Sequence, residues 1–229
     1  MEIDVPKTPA PKKKDAPLNA LAPTWDKRTM RMLVVGQSGQ GKSVMVANLV
    51  RRYLPWDTLT VVAKHLGGQL YDDLKEDIAK HEERLGRPVS VWADTLADLP
   101  PLDAYTDTNK NLVWIDDMMN EPKKDQLPVV EMFTSGRHKN IAVIYCAQSY
   151  GRVPADIKRN ASCVCIYKGF SAGDVEQLWK DHGGVMSKKA FHQYLMEATQ
   201  APHSFAVIDE QASHAALRYR IGWDTLYLP

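Results

Sequence analysis

Residues 32–43, Met-Leu-Val-Val-Gly-Gln-Ser-Gly-Gln-Gly-Lys-Ser, constrain this chain more than any other stretch. A short apolar strand runs straight into Gly-x-x-x-x-Gly-Lys-Ser, and a helical pattern follows. Gly36 and Gly41 allow turns that a Cβ would forbid. The N–H groups of Gly36, Gln37, Ser38, Gly39, Gln40, Gly41, Lys42, Ser43 and Val44 then converge on one point at a helix N-terminus, a geometry that favours an anion. In such a loop the lysine, here Lys42, reaches the β- and γ-phosphates, and the serine hydroxyl, here Ser43, holds Mg²⁺. The segment predicts a nucleoside triphosphate site. A glycine-rich turn that binds nothing is the alternative.

The chain has 229 residues, enough for one α/β domain with a sizeable core. Its net charge of +1 excludes a global basic field, so any nucleic-acid contact must be local. No apolar run is long enough to span a bilayer, and the N-terminus lacks the apolar core of a signal peptide. Cys146, Cys163 and Cys165 read as small core residues in a reducing, intracellular setting.

Residues 1–25 stand apart, with five prolines and the run Lys12-Lys13-Lys14. They read as a flexible Pro/Lys-rich arm. It is either a solvated leader, a basic arm that touches nucleic acid or a neighbouring subunit, or a localisation signal. Residues 26–229 read as the phosphate-loop domain. Strands are expected at Met32–Val35, Thr58–Ala63, Val89–Ala93, Asn111–Ile115, Ile141–Ala147, Ala161–Tyr167, Ser204–Ile208 and Ala215–Ile221, the last two as a possible hairpin. Helices are expected at Lys42–Tyr53, Gln69–Leu85, Val129–Thr134, from Ser171, and at Ser187–Thr199, with mostly loop over Asp94–Asn109. The alternation predicts a three-layer α/β P-loop NTPase fold with a mainly parallel central sheet.

The strand Asn111–Ile115 runs into Asp116-Asp117. A phosphate-loop enzyme needs an acid to hold Mg²⁺, and Asp116 fits that role. A second acid beside it, Asp117, can act as general base towards water. The unit Thr58–Leu85 lies between the two motifs, the layout of ATPases with an additional strand. No Asn-Lys-x-Asp guanine-reading run is present, which favours ATP over GTP. Gln148, at the carboxyl end of the next strand, either senses or orients the attacking water or is an ordinary strand-end turn residue. Arg137 lies at the other end of that strand. It is either a surface charge capping a helix C-terminus or a guanidinium reaching a neighbour's nucleotide, a contact worth ~10³-fold or more in rate.

The phosphate loop, the Asp116-Asp117 strand and the run Ser-Gly-Arg137-His-Lys-Asn-Ile-Ala-Val-Ile-Tyr-Cys-Ala-Gln148-Ser together resemble the FtsK–HerA superfamily. They are most similar to its viral branch, the genome-packaging ATPases of large double-stranded DNA viruses of the poxvirus and virophage type. The segment Val153–Gly169 also fits, and the resemblance covers about residues 30–170. It implies an ATP- and Mg²⁺-dependent, ring-forming motor, usually a hexamer, that drives double-stranded DNA into a preformed capsid. Its partners would be duplex DNA, copies of itself and capsid vertex or portal proteins, with no membrane. Its place would be the host cytoplasm or viral factory, with association with the virion. It implies Lys42 and Ser43 on phosphate and Mg²⁺, Asp116 on Mg²⁺, Asp117 as base, Gln148 as sensor, Arg137 as a finger donated in trans and Arg159 as a second candidate finger. Bacterial relatives carry Asp-Glu where this chain has Asp116-Asp117, and they add membrane and DNA-orienting domains. Here DNA recruitment would fall to partners or to the arm.

Lys123 and Lys124, just after the acidic strand, either track DNA phosphates in a pore or form a solvated helix start. Three other functions share the phosphate loop: a DNA helicase or conjugation-type pump, a nucleotide or small-molecule kinase, and a nucleotide-gated assembly protein.

Overall fold

A computed structural model describes residues 29–228; the expected arm, 1–25, lies outside the described residues. Strands β1 (Arg31–Val35), β2 (Thr58–Ala63), β3 (Ser90–Ala93), β4 (Asn111–Asp116), β5 (Ile141–Ala147), β6 (Cys163–Tyr167), β7 (Phe205–Asp209), β8 (Tyr219–Ile221) and β9 (Thr225–Leu226) form one sheet. Their order is β3-β2-β4-β5-β1-β6-β7-β8-β9. The strands from β3 to β6 in that order run parallel, and β7, β8 and β9 add an antiparallel wing. The helices are α1 (Lys42–Arg52), α2 (Gln69–Leu85), α3 (Leu127–Ser135), α4 (Ala155–Asn160), α5 (Ala172–His182) and α6 (Lys188–Ala198).

Side chains alternate between the two faces of each strand. Leu33, Val35, Val113, Ile115, Val143 and Tyr145 point to one face, where Phe133 of α3, Leu178 of α5 and Phe191 of α6 cover them. Met32, Val34, Leu112, Trp114, Ile144 and Cys146 point to the other, against Val46 and Leu49 of α1 and Leu74 and Ile78 of α2. Both faces are thus buried, which is why the central strands read as unbroken apolar runs. Each buried Val, Leu or Ile contributes roughly 1.5–3 kcal/mol of transfer free energy. All three cysteines lie buried on the α1–α2 face. Among the described residues no helix is long and apolar enough to cross a membrane.

The additional strand is β5, which lies between β4 and β1. The β2–α2 unit, although between the two motifs in sequence, lies on the far side of β4 in space. Three local features differ from expectation. The six-residue α4 is too short to show a 3.6-residue period. Leu96–Asp98 and Leu102–Ala104 form 3₁₀ turns inside the expected loop. Residues Ala215–Leu217 are a 3₁₀ turn, so β8 is shorter than the run Ala215–Ile221, but it pairs antiparallel with β7 as a hairpin requires. Helix α5 starts in a capping box in which Ser171 and Asp174 bond each other's backbone N–H.

One row of register partners matters for the site. Ala63, Asp116, Cys146, Val34 and Cys165 stand side by side across five strands. Whatever follows these residues therefore emerges at the same carboxyl edge of the sheet, where ligands gather in open α/β folds.

Candidate active site

The phosphate loop leaves β1 at that edge. Gly36 N–H donates to the carbonyl of Ala147, and a Cβ on Gly36 would stand 2.5 Å from Tyr167 Cβ, so only glycine fits. Gly41 has φ 95 and caps α1 without any side-chain partner for the helix's first N–H groups. The N–H groups at the start of α1, with the helix dipole behind them, suit an anion. Lys42 is buried and turns its Nζ back to donate to the carbonyls of Gly36 at 2.6 Å and Gln37 at 2.9 Å.

Ser43 Oγ donates to Asp116 Oδ2 at 2.6 Å. The Tyr71 hydroxyl, from α2, donates to the same oxygen at 2.5 Å, with its ring tilted against Trp114. Burial, with Asp116 alongside, pushes the Tyr71 phenol far up, so it remains a donor at all physiological pH values. Asp117, the next residue, takes the left-handed conformation at φ 56. That region is uncommon outside glycine but tolerated by Asp and Asn. It swings the carboxylate out of the strand, where Gln148 Nε2 donates to its Oδ1 at 2.7 Å.

A cavity of about 360 Å³ opens among these groups. Ser38, Gly39, Gly41, Lys42, Ser43, Val44, Asp116, Asp117 and Gln148 line it, all singled out in the sequence. Gly36, Gln37 and Gln40 shape the loop without lining the cavity: Gln37 packs on Gly169, and the Gln40 carbonyl faces His203 Nδ1 at 3.2 Å. Ala63, Lys64, His65, Tyr71 and His203 complete the wall and were not foreseen. Tyr71 sits on the apolar spacing Tyr71, Leu74, Ile78 of α2, which marks it as buried but not as a partner of Asp116.

The remaining residues lie elsewhere. Arg137 is exposed in a 3₁₀ turn at the amino end of β5, the edge opposite the cavity, with Nε 3.5 Å from His138 Nε2. Arg159, exposed on α4 ahead of β6, pairs with Asp156 at 3.4 Å. Lys123 and Lys124 are exposed in the turn between β4 and α3, at the cavity's edge of the sheet but outside its wall.

The fold and the phosphate-loop site together define a P-loop ATPase. Residues 24–225 match the family described as "Poxvirus A32 protein", and the chain belongs to that family. This agrees with the resemblance to viral packaging ATPases drawn from the three motifs. No curated protein matches the sequence. Among solved structures, the genome packaging NTPase B204 of Sulfolobus turreted icosahedral virus 2, in complex with AMP, superposes with a TM-score of 0.58 at 13% identity, covering 88% of this chain and 98% of that one. Its complex with AMPPCP gives 0.56 at 13% identity, over 81% and 95%. The cytoplasmic domain of the Thermomonospora curvata type VII secretion ATPase EccC gives 0.51 at 15% identity, over 90% of this chain and 24% of that one. At these identities the likeness concerns the fold.

Proposed function

We propose that this chain hydrolyses ATP and uses the energy to drive double-stranded viral DNA into a preformed capsid, as a subunit of a homo-oligomeric ring, a hexamer by family resemblance. The observation that carries the reading is the Asp117–Gln148 pair held over a phosphate loop. A kinase needs no such base for water, whereas a hydrolase does. Family membership adds the viral context, and the packaging NTPases that share the fold add the substrate class.

The triphosphate would displace the Gly36 and Gln37 carbonyls as partners of Lys42 Nζ and take the N–H groups at the start of α1. Asp117 would accept a proton from the attacking water, and Gln148 would hold both carboxylate and water in line. Mg²⁺ fits the donors present: Ser43 Oγ and Asp116 Oδ2 are hard oxygens 2.6 Å apart. Among the described residues no cluster of three acids, histidines or cysteines could hold a metal. The other positions would belong to phosphate oxygens and water, as is usual for this ion, which when bound neutralises charge on the β- and γ-phosphates. Among the described residues no arginine lines the cavity, so Arg137 or Arg159 of one subunit would complete the site of the next. Lys123 and Lys124 are the candidate DNA contacts, and capsid vertex or portal proteins the candidate partners. The setting would be the host cytoplasm or viral factory.

Steady-state ATP hydrolysis with and without duplex DNA tests the proposal. Strong stimulation by blunt duplex is expected. Strand separation on a forked substrate would favour a helicase. Phosphate transfer to a small acceptor without DNA dependence would favour a kinase, and tight ATP binding with negligible turnover would favour a gated assembly protein.

A further inference from the structure

Lys64 follows β2 directly, and its neighbour Ala63 is the register partner of Asp116. Lys64 therefore emerges one strand across from Asp117, and it lines the same cavity. Its Nζ is 3.6 Å from Glu121 Oε1, and the two side chains are 47% and 31% exposed. An ion pair this long and this wet contributes little. Among the described residues, Lys42 and Lys64 are the two lysines of the cavity wall, and without nucleotide Lys42 bonds the Gly36 and Gln37 carbonyls.

We infer that Lys64 is a second cation for the γ-phosphate, supplied by the subunit's own chain, and that the triphosphate and Glu121 compete for it. The inference rests on the reading of the cavity as an ATP site. A terminal phosphate carries more charge than one carboxylate and presents several acceptor oxygens. A lysine ammonium, compact and on a flexible stem, can leave a weak partner for it. With ADP the γ-position is vacant and Lys64 stays with Glu121. Glu121 lies in the turn that leaves β4, its N–H donating to the Met118 carbonyl, and Lys123 and Lys124 follow it. The exchange thus ties the occupant of the γ-position to the segment that carries the candidate DNA contacts.

The test is binding of fluorescent ATP and ADP analogues, with Mg²⁺, to the full chain. Lys64→Met should weaken ATP binding about tenfold, the size of one charge-assisted hydrogen bond, and leave ADP nearly unchanged. Lys64→Arg should restore most of the preference for ATP, which a packing role would not require. Glu121→Gln removes the competitor and should raise the ATP-to-ADP preference severalfold. An unchanged ratio in Lys64→Met, or in Glu121→Gln where Lys64→Met does not fold, overturns the inference. Failure of the unsubstituted protein to bind ATP overturns the underlying reading instead, so the two failures are distinct.

Discussion

Gln148 Nε2 donates to Asp117 Oδ1 at 2.7 Å, joining the ends of two adjacent strands above the phosphate loop. The left-handed Asp117 backbone makes that contact available. Asparagine tolerates the same φ, so Asp117→Asn should keep the fold while removing the proposed base. Hydrolysis should fall about 10²–10⁴-fold, with ATP affinity within a few-fold of the parent. Gln148→Ala should lose less, and the double variant should be no slower than Asp117→Asn, because the two act as one unit. Additive losses in steady-state rates would separate their roles.

Asp116 Oδ2 receives two hydroxyl donors, Ser43 and Tyr71. Tyr71 comes from α2 and, like Ser43, donates to Oδ2 from the cavity wall. Tyr71→Phe keeps the ring packed on Trp114 and removes only the donor. If Asp116 holds Mg²⁺ as proposed, the Mg²⁺ concentration needed for tight ATP binding should rise about 10–100-fold, the usual penalty for losing a partner of a metal-ligating group. Stability should drop by only about 1 kcal/mol. Titrating Mg²⁺ against bound fluorescent nucleotide, with thermal melts alongside, checks both. An unchanged Mg²⁺ requirement would confine Tyr71 to packing.

The contrast between Asp116 and Tyr71 explains what could be read from the sequence. The phosphate loop, Asp116-Asp117 and Gln148 each end a contiguous apolar run, so the strand pattern carries their positions. Tyr71, Lys64 and His203 reach the cavity through the packing of α2, the β2–β4 register and the turn before β7. None of these long-range relations leaves a local mark. Lys64 looks like any charge after a strand until Ala63 is known to stand beside Asp116. The same limit hid α4 and β9, neither of which spans two full periods of its pattern. It also assigned the additional strand to the wrong unit, because β5 enters the sheet between β4 and β1 from later in the chain.

Arg137 stands at the amino end of β5 and Gln148 just past its carboxyl end, so one strand length separates Arg137 from its own subunit's cavity. If it serves a neighbour, Arg137→Ala should bind ATP normally and lose ~10³-fold or more in turnover. Lys42→Ala should instead lose nucleotide affinity. Each variant alone is then inactive, but mixed rings should regain hydrolysis wherever an intact loop faces an intact Arg137. No recovery on mixing, with co-assembly verified by light scattering, would remove Arg137 from the neighbouring site and leave Arg159 as the finger to test.

Asp174 ties α5 to the turn that follows Gln148. Its Oδ1 accepts from Gly151 N–H at 2.8 Å and Ser149 Oγ at 3.2 Å, and its Oδ2 from Ser171 N–H at 3.0 Å. Burial raises the carboxyl's pKa, but these donors outweigh it and leave it below the usual carboxylate range. The folded state therefore holds this proton more weakly than the unfolded chain. The stability so gained is fully present above the ordinary value near 4 and is lost as pH falls through that value towards the depressed one. Asp174→Asn should destabilise by about 1–2 kcal/mol at pH 7, the usual cost of a lost cap and its charge-assisted bonds. The gap in melting temperature between parent and variant should narrow as pH drops from 5 to 3, measured by calorimetry. A gap independent of pH would mean that the carboxylate's charge adds nothing to the cap. Because Ser149 adjoins Gln148 and Gly151 lies in the same turn, the same variant should also slow hydrolysis at pH 7 without weakening ATP binding, a split that loss of stability alone would not produce.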